Sequence, residues 1–409
     1  MSSGVRRRML RALALALALV FGVAGSLPAQ RHIDWSKRPV LLMTMGQGEE
    51  VFEKFGHNAI VVWDDAAGRP LVYNWGMFDF SQPNFIGRFL EGDTKYWMEP
   101  SSIERTMQQY EYLNRTVTVQ ELALTPAQKA QLVALLAENA TEVNKYYRYD
   151  YYRDNCSTRA RDALNVVTGG ALRRAMDGQP GQGSYRWHTR RLLAYSAPLY
   201  IGSELVLGLD ADAPLTGWQE AFLPQSLAES VKRIELPAAD GLPVRMLSGA
   251  QDTLFASTRG TEPTTVSSRL PLAALAGLMI GLLLLGLTRL GRGGAAAGIA
   301  LWSLLVAIVG TVLLLAWFAT QHLFMANNPT VALANPGWLI GLVAAFMTLR
   351  GGVSTGVRSA LRWLLVIAVV GTAGAVLLGH AISALEMAAL LLPGHAAVVS
   401  AVDRFRRAR

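Results

Sequence analysis

Four long apolar runs in the last third of the chain constrain its fold more than any other feature. They cover residues 270–287, 295–319, 331–349 and 360–378, and a weaker run covers 381–402, where Glu386 and Pro393 interrupt it. Runs of about 18–25 apolar residues match the hydrocarbon thickness of a bilayer. The sequence therefore predicts an α-helical transmembrane bundle of four to five spans over residues 269–403.

Arginine is distributed unevenly around these runs. Residues 269–409 carry ten arginines against Glu386 and Asp403, and the arginines cluster after the first, third and fifth runs. Loops rich in Lys and Arg remain on the cytoplasmic side of a membrane. All clusters lie inside only if residues 31–268 are outside and all five spans exist. The pattern supports the fifth span and predicts a basic cytoplasmic tail at 404–409.

The N-terminal part of the chain is predicted to be exported. Arg6, Arg7 and Arg8 precede an apolar run from Met9 to Val23, as in a secretory signal peptide over residues 1–30. An uncleaved anchor helix is the alternative. Residues 31–268 carry 24 Lys and Arg against 28 Asp and Glu, so the net charge of +8 describes no basic face. We therefore expect no nucleic-acid partner.

The exported region has the pattern of an α+β domain. Strands are predicted near 40–45, 57–63, 71–75 and 116–122, because apolar residues recur there between turn residues. One helix is predicted from Thr125-Pro126 towards Val143, and another from Asp154-Asn155-Cys156 to Gly169-Gly170. We assign residues 31–180 to this domain and expect 181–268 to be a helical extension near the membrane.

Cys156 is the single cysteine of the chain and is predicted to begin a helix. A helix N-terminus favours a thiolate and lowers the thiol pKa. A nearby histidine can accept the proton, and His57 at the start of a strand is the best candidate. Asn74 is the first choice to orient His57, with Asp79 as the alternative. The other possibility is that Cys156 is a small buried hydrophobic residue.

Several segments resemble the bacterial Lnb-like membrane proteins. They are Phe55-Gly56-His57-Asn58-Ala59, residues 73–80, residues 149–158, residues 208–212, Phe222-Leu223-Pro224, and the external loop from His322 through Asn327-Asn328 to Asn335-Pro336. The resemblance implies a permuted papain-like domain, similar to NlpC-type peptidases and lecithin–retinol acyltransferases. It also implies a multi-pass protein of the bacterial inner membrane with its catalytic domain in the periplasm.

The implied activity is acyl transfer through a thioester on Cys156, from a lipoprotein or phospholipid to an amine. In Lnb itself, the implied reaction moves an acyl chain within a lipoprotein from the glycerol ester to the N-terminal amine. No metal or cofactor is expected, since no His and Cys residues have ligand spacing. The residues expected to contact substrate are Asn58, Asp79, Tyr96, Asn155, His322 and Asn328.

Two other functions remain open at this point. An envelope cysteine peptidase or amidase acting on peptidoglycan would use the same Cys156 and His57, but it would not need a polytopic tail. A non-enzymatic envelope protein would need neither residue.

Overall fold

The computed structural model describes residues 33–237 and 243–406. The predicted signal peptide at 1–30 and the last three residues of the basic tail lie outside these ranges.

Nine strands occur in the N-terminal domain among residues 33–237 and 243–255. They are β1 (Leu41–Met45), β2 (His57–Asp64), β3 (Arg69–Met77), β4 (Lys95–Ser102), β5 (Val117–Leu122), β6 (Tyr146–Arg148), β7 (Glu235–Pro237), β8 (Pro243–Arg245) and β9 (Leu247–Phe255). Seven of them form one antiparallel sheet in the order β6-β4-β3-β2-β1-β5-β9, while β7 and β8 pair separately. The four predicted strands are thereby confirmed, and β2 and β3 form an antiparallel hairpin.

The described part of the same domain also contains nine α-helices. They are α1 (Phe85–Glu91), α2 (Ile103–Tyr112), α3 (Pro126–Asn139), α4 (Cys156–Val167), α5 (Ala171–Asp177), α6 (Tyr185–Leu193), α7 (Ala197–Val206), α8 (Gly217–Glu220) and α9 (Pro224–Arg233). The side chain of Thr125 caps α3 as expected. The extension towards Val143 is wrong, since α3 ends at Asn139. There the Asn139 amide accepts from Trp75 and donates to the carbonyl of Asn144, which closes the helix end.

The central sheet is covered on both faces. On one face, Ala160 and Leu164 of α4 pack with Ile60 and other apolar residues of the sheet, together with α3 and α9. On the opposite face, Tyr110 of α2 packs with Met43 and the residues around it. Alternating side chains along each strand serve the two cores, which is why the strands are apolar on both faces.

Segment 181–268 differs from the expected helical extension. It contains α6–α9, but it also contains β7, β8 and β9. Strand β9 pairs with β5 and forms one edge of the main sheet, and α9 contributes Leu227 and Val231 to the core of the domain. The segment therefore completes the α+β domain as well as extending it.

Five helices form the C-terminal bundle. They are α10 (Leu270–Leu287), α11 (Gly291–Phe318), α12 (Ile340–Leu349), α13 (Thr355–Leu377) and α14 (Ala381–Arg404). Four segments are long and apolar enough to cross a membrane, the first of which contains both α10 and α11. The weak fifth run is a helix throughout, as α14. The third run is not one α-helix, because Pro336 disfavours a helical conformation at Asn335, which is extended.

The arginines gather at one end of the bundle. Arg292 donates to the carbonyl of Gly351, Arg404 donates to Thr288, and Arg362 pairs with Asp403 at 2.8 Å. These contacts join the segments after the first, third and fifth runs. The N-terminal domain contacts the other end, through Asn328 and α14, so the structure has the polarity that the charge pattern predicts.

A buried ion pair attaches the domain to α14. Glu386 is 1% exposed and lies 2.9 Å from the guanidinium of Arg190 in α6. It also accepts hydrogen bonds from the hydroxyl of Tyr200 and the backbone N–H of Arg269. The residue that weakens the fifth run in the sequence therefore bonds to the N-terminal domain.

Candidate functional site

Cys156 lies at the first turn of α4, and Asn155 holds that turn in place. The Asn155 Oδ1 accepts from the N–H groups of Ser157 and Thr158, both at 2.9 Å. Its Nδ2 donates to the carbonyls of Tyr151 and Phe222 at 2.8 and 3.0 Å. Because every polar atom of this buried amide is used within the protein, Asn155 positions Cys156 and is not assigned to substrate contact.

An opening between β2 and β3 receives the Cys156 side chain. The two strands pair from Ala59 and Asn74 onward, so His57 and Asn58 lie beyond the last paired position. On the β3 side, Gly76 has a φ of +86°. A Cβ on Gly76 would lie 3.7 Å from the Cβ of Cys156, so this glycine keeps the space beside the thiol narrow but open.

His57 and Asn74 are joined across the same opening. The His57 Nε2 lies 3.2 Å from the Asn74 Oδ1, while the Asn74 Nδ2 donates to the carbonyl of Val72. Since the Asn74 oxygen must accept, Nε2 carries the proton and Nδ1 is the basic nitrogen. The geometry pairs His57 with Asn74, the first of the two residues considered for that role. Asp79 is exposed and bonds to Ser81 instead.

The site occupies both sides of the sheet. His57 is in register with Met45, and its ring lies 6.4 Å from that of Tyr110. Cys156, the first residue of α4, packs with the core on the opposite face. The Asn58 N–H points to the Cys156 sulfur. The residue next to His57 therefore touches the thiol. Within the described residues, no hydrogen bond links the thiol to the His57 ring.

The electrostatics of Cys156 differ from the expectation. Burial raises the pKa of the Cys156 thiol, although the N–H groups of Asn58 and Ser157 and the charge of Arg115 oppose this change. The helix N-terminus lowers the pKa as expected, but the loss of water around the sulfur outweighs it. The resting thiol is therefore neutral, and the expectation of a net lowered pKa is wrong.

The imidazole is also neutral at rest. Burial lowers the pKa of His57 to about 4, the charge of Arg115 acts in the same direction, and the bond to Asn74 opposes both. With a neutral thiol and a neutral imidazole, no thiolate is stored in the resting site, so use of Cys156 as a nucleophile would require a general base.

Arg115 is a site residue that the sequence does not indicate. It is 4% exposed, and its guanidinium pairs with Glu53 at 3.2 Å and bonds to the carbonyl of Gly46. Its second terminal nitrogen is buried without a hydrogen-bond partner. An arginine that follows a helix is usually on the surface. The local sequence does not indicate that Arg115 is buried, because its ion-pair partner Glu53 lies 62 residues earlier in the chain.

Tyrosines line the other side of the thiol. The point where a Gly76 Cβ would lie is 3.7 Å from the ring of Tyr149 and 3.9 Å from the hydroxyl of Tyr147. The Tyr147 hydroxyl is buried and forms no hydrogen bond, and burial holds its pKa well above the usual value. It remains protonated and is available as a donor. Tyr96, expected to contact substrate, stacks on Tyr149 at 4.4 Å.

The remaining predicted contact residues separate into two groups. Asn58 bonds to Thr44 and Ser157, and Asn328 bonds to the carbonyls of Leu205 and Val206, so both buried amides hold elements together. His322 differs because its ring stacks on Tyr151 at 5.9 Å, in contact with the aromatic residues near Cys156.

The N-terminal domain matches a known protein family. Residues 28–195 match the family model described as the Lnb N-terminal periplasmic domain. The N-terminal domain is Lnb-like. The match contains His57, Asn74 and Cys156, and it confirms the resemblance for the segments up to residue 158. Together with the four apolar segments, it indicates a multi-pass membrane protein with a periplasmic domain. No curated protein and no solved structure matches the chain.

The fold of this Lnb-like protein is an α/β domain with an antiparallel sheet, followed by apolar helices. A papain-like relationship remains a prediction. Among the described residues, no three His, Cys, Asp or Glu side chains form a group able to hold a metal ion.

Proposed function

We propose that this Lnb-like protein is a thiol acyltransferase of the bacterial inner membrane, with its catalytic domain in the periplasm. Cys156 takes an acyl chain from a lipid ester and passes it to an amine, as in lipoprotein N-acylation. The observation that carries the proposal is the position of Cys156 at a capped helix start, where its sulfur accepts from the N–H of Asn58, the residue next to His57, whose ring bonds to Asn74.

The first half of the reaction forms a thioester. His57 Nδ1 accepts the thiol proton as the sulfur attacks the ester carbonyl, and the tetrahedral intermediate collapses by losing the alcohol oxygen. The imidazolium returns the proton to that oxygen. Because His57 has a pKa of about 4, it gives up this proton readily.

The second half regenerates the thiol. The acceptor amine attacks the thioester, an amide bond forms, and the C–S bond breaks. The proton lost by the amine passes through His57 to the sulfur. The N–H group of Cys156 at the helix start and the Tyr147 hydroxyl are the donors proposed for the oxyanion in both halves.

The test is covalent trapping of the acyl chain. Purified full-length protein is incubated with phospholipid and diacylated lipopeptide, and intact-protein mass spectrometry measures the added mass. Since Cys156 is the only cysteine, a thioester released by neutral hydroxylamine maps to it. We expect the adduct in the wild type and no hydroxylamine-sensitive adduct in Cys156→Ser, which keeps the side-chain size.

Two results would contradict the proposal. Cleavage of peptidoglycan fragments without any lipid adduct would favour the peptidase or amidase. An unchanged cellular phenotype in Cys156→Ser would favour a non-enzymatic envelope protein.

A further inference from the structure

The N-terminal domain exposes large apolar side chains around α1. Phe80 is 67% exposed, Ile86 72%, Phe89 37% and Leu90 63%. We call these four residues the α1 apolar surface. Water does not favour such a cluster, and contiguous exposed apolar residues on a protein mark a site of contact with another apolar body.

This surface is attached to the end of a membrane helix. The backbone N–H of Gln321 donates to the carbonyl of Glu91 at 2.8 Å, and the His322 Nε2 lies 3.0 Å from the carbonyl of Phe89. Helix α11 ends at Phe318, four residues before His322. Four residues span at most ~14 Å of extended chain, so α1 lies at the level of the membrane interface.

Aromatic rings connect the α1 apolar surface with Cys156. Phe89 contacts His322 at 6.4 Å, His322 stacks on Tyr151 at 5.9 Å, and Tyr151 contacts Tyr149 at 6.2 Å. The Tyr149 ring lies beside Gly76, next to the thiol. A second series runs from Phe80 through Phe78 and Tyr96 to Tyr149.

We propose that the α1 apolar surface inserts into the outer leaflet of the membrane and that lipid acyl chains reach Cys156 along these rings. The occupant is the hydrocarbon of the bilayer, because the surface continues from the end of α11. Short elements with aromatic and leucine side chains lie in this way in the headgroup and acyl boundary. The insertion into the membrane does not depend on the proposed acyltransferase function, whereas the acyl path rests on it.

Insertion is tested by fluorescence quenching in nanodiscs. Full-length protein with Cys156→Ser receives Ile86→Cys or Leu90→Cys, each labelled with bimane. The matched control is Val143→Cys, an 89% exposed apolar position of the same domain outside the surface. Lipids brominated on their acyl chains are expected to quench the probes at 86 and 90 at least about twofold more than the probe at 143. Equal quenching at the three positions would overturn the insertion.

The acyl path is tested by placing negative charges on the α1 apolar surface. Ile86→Asp combined with Leu90→Asp, with Cys156 intact, is expected to slow acylation of Cys156 by bilayer lipid at least about tenfold. The rate of alkylation by iodoacetamide, which enters from water, should stay within about twofold of the wild type. Unchanged lipid acylation would overturn the path. If the wild type forms no adduct, the proposed function fails, and the quenching experiment alone decides the insertion.

Discussion

Replacement of Asn155 should loosen the start of α4 far more than an ordinary cap mutation. Asn155→Ala removes two acceptor bonds to helix N–H groups, which cost about 1 kcal/mol together as a cap. It also leaves the carbonyls of Tyr151 and Phe222 without this donor, at about 1–3 kcal/mol for each buried group. The sum is a loss of about 3–7 kcal/mol in the local opening free energy of α4.

Hydrogen–deuterium exchange of the intact protein in detergent measures this loss directly. Since every 1.4 kcal/mol is a factor of ten, peptides from residues 156–167 should exchange at least ~100-fold faster in Asn155→Ala. Asn155→Ser keeps the cap acceptor and loses both amide donors, so it should recover only about 1 kcal/mol.

The matched control is Thr125→Ala, which removes an exposed cap from α3. That change should accelerate exchange of residues 126–139 only about fivefold, because no buried carbonyl loses its partner. If Asn155→Ala accelerates exchange in α4 no more than Thr125→Ala does in α3, the reasoning from buried hydrogen bonds is refuted.

Three further predictions concern the site and its attachment to the membrane. Asn74→Ala should slow acylation of Cys156 roughly 100-fold with an unchanged melting temperature, and an unchanged single-turnover rate would contradict its positioning role. The rate of Cys156 alkylation should rise with pH to an inflection above that of a free cysteine peptide, because burial raises the thiol pKa. An inflection below that of the peptide would contradict the raised pKa. Glu386→Ala leaves Arg190 with Glu204 at 3.5 Å as its remaining buried carboxylate and should cost about 1–3 kcal/mol. Asp403→Ala, which removes a more exposed partner, should cost only about 0–1 kcal/mol, and similar losses of thermal stability would refute the difference.

Local signals explain what could be predicted from the sequence. Thr125-Pro126 and Asn155-Cys156 mark helix starts because capping depends on residues within one turn. The β2–β3 hairpin is likewise local, and Asn74 faces His57 because paired strands bring near positions of the chain together. The candidate site was therefore predictable in its three named residues, although their catalytic roles remain predictions.

Long-range contacts explain what the sequence did not reveal. Strand β9 has only half-buried and exposed residues and pairs with β5 more than a hundred residues earlier, so no local pattern indicates its place at the edge of the sheet. Arg115 is buried in an ion pair with Glu53, and Glu386 is buried in an ion pair with Arg190. A charged residue looks the same in a sequence whether it faces water or a distant partner.

Local and long-range structure have opposite effects on the pKa of the Cys156 thiol. The helix start and nearby N–H groups favour the thiolate, whereas the tertiary structure removes water from the sulfur and raises its pKa. A neutral, buried thiol resists oxidants better than a stored thiolate, since oxidation follows thiolate character and exposure. A cysteine without an intrachain disulfide partner in an oxidising periplasm gains from this protection. In the proposed reaction, deprotonation depends on substrate, because only a bound carbonyl makes proton transfer to the neutral His57 productive. Under this proposal, burial restricts the reactivity of Cys156 to the moment when substrate is bound.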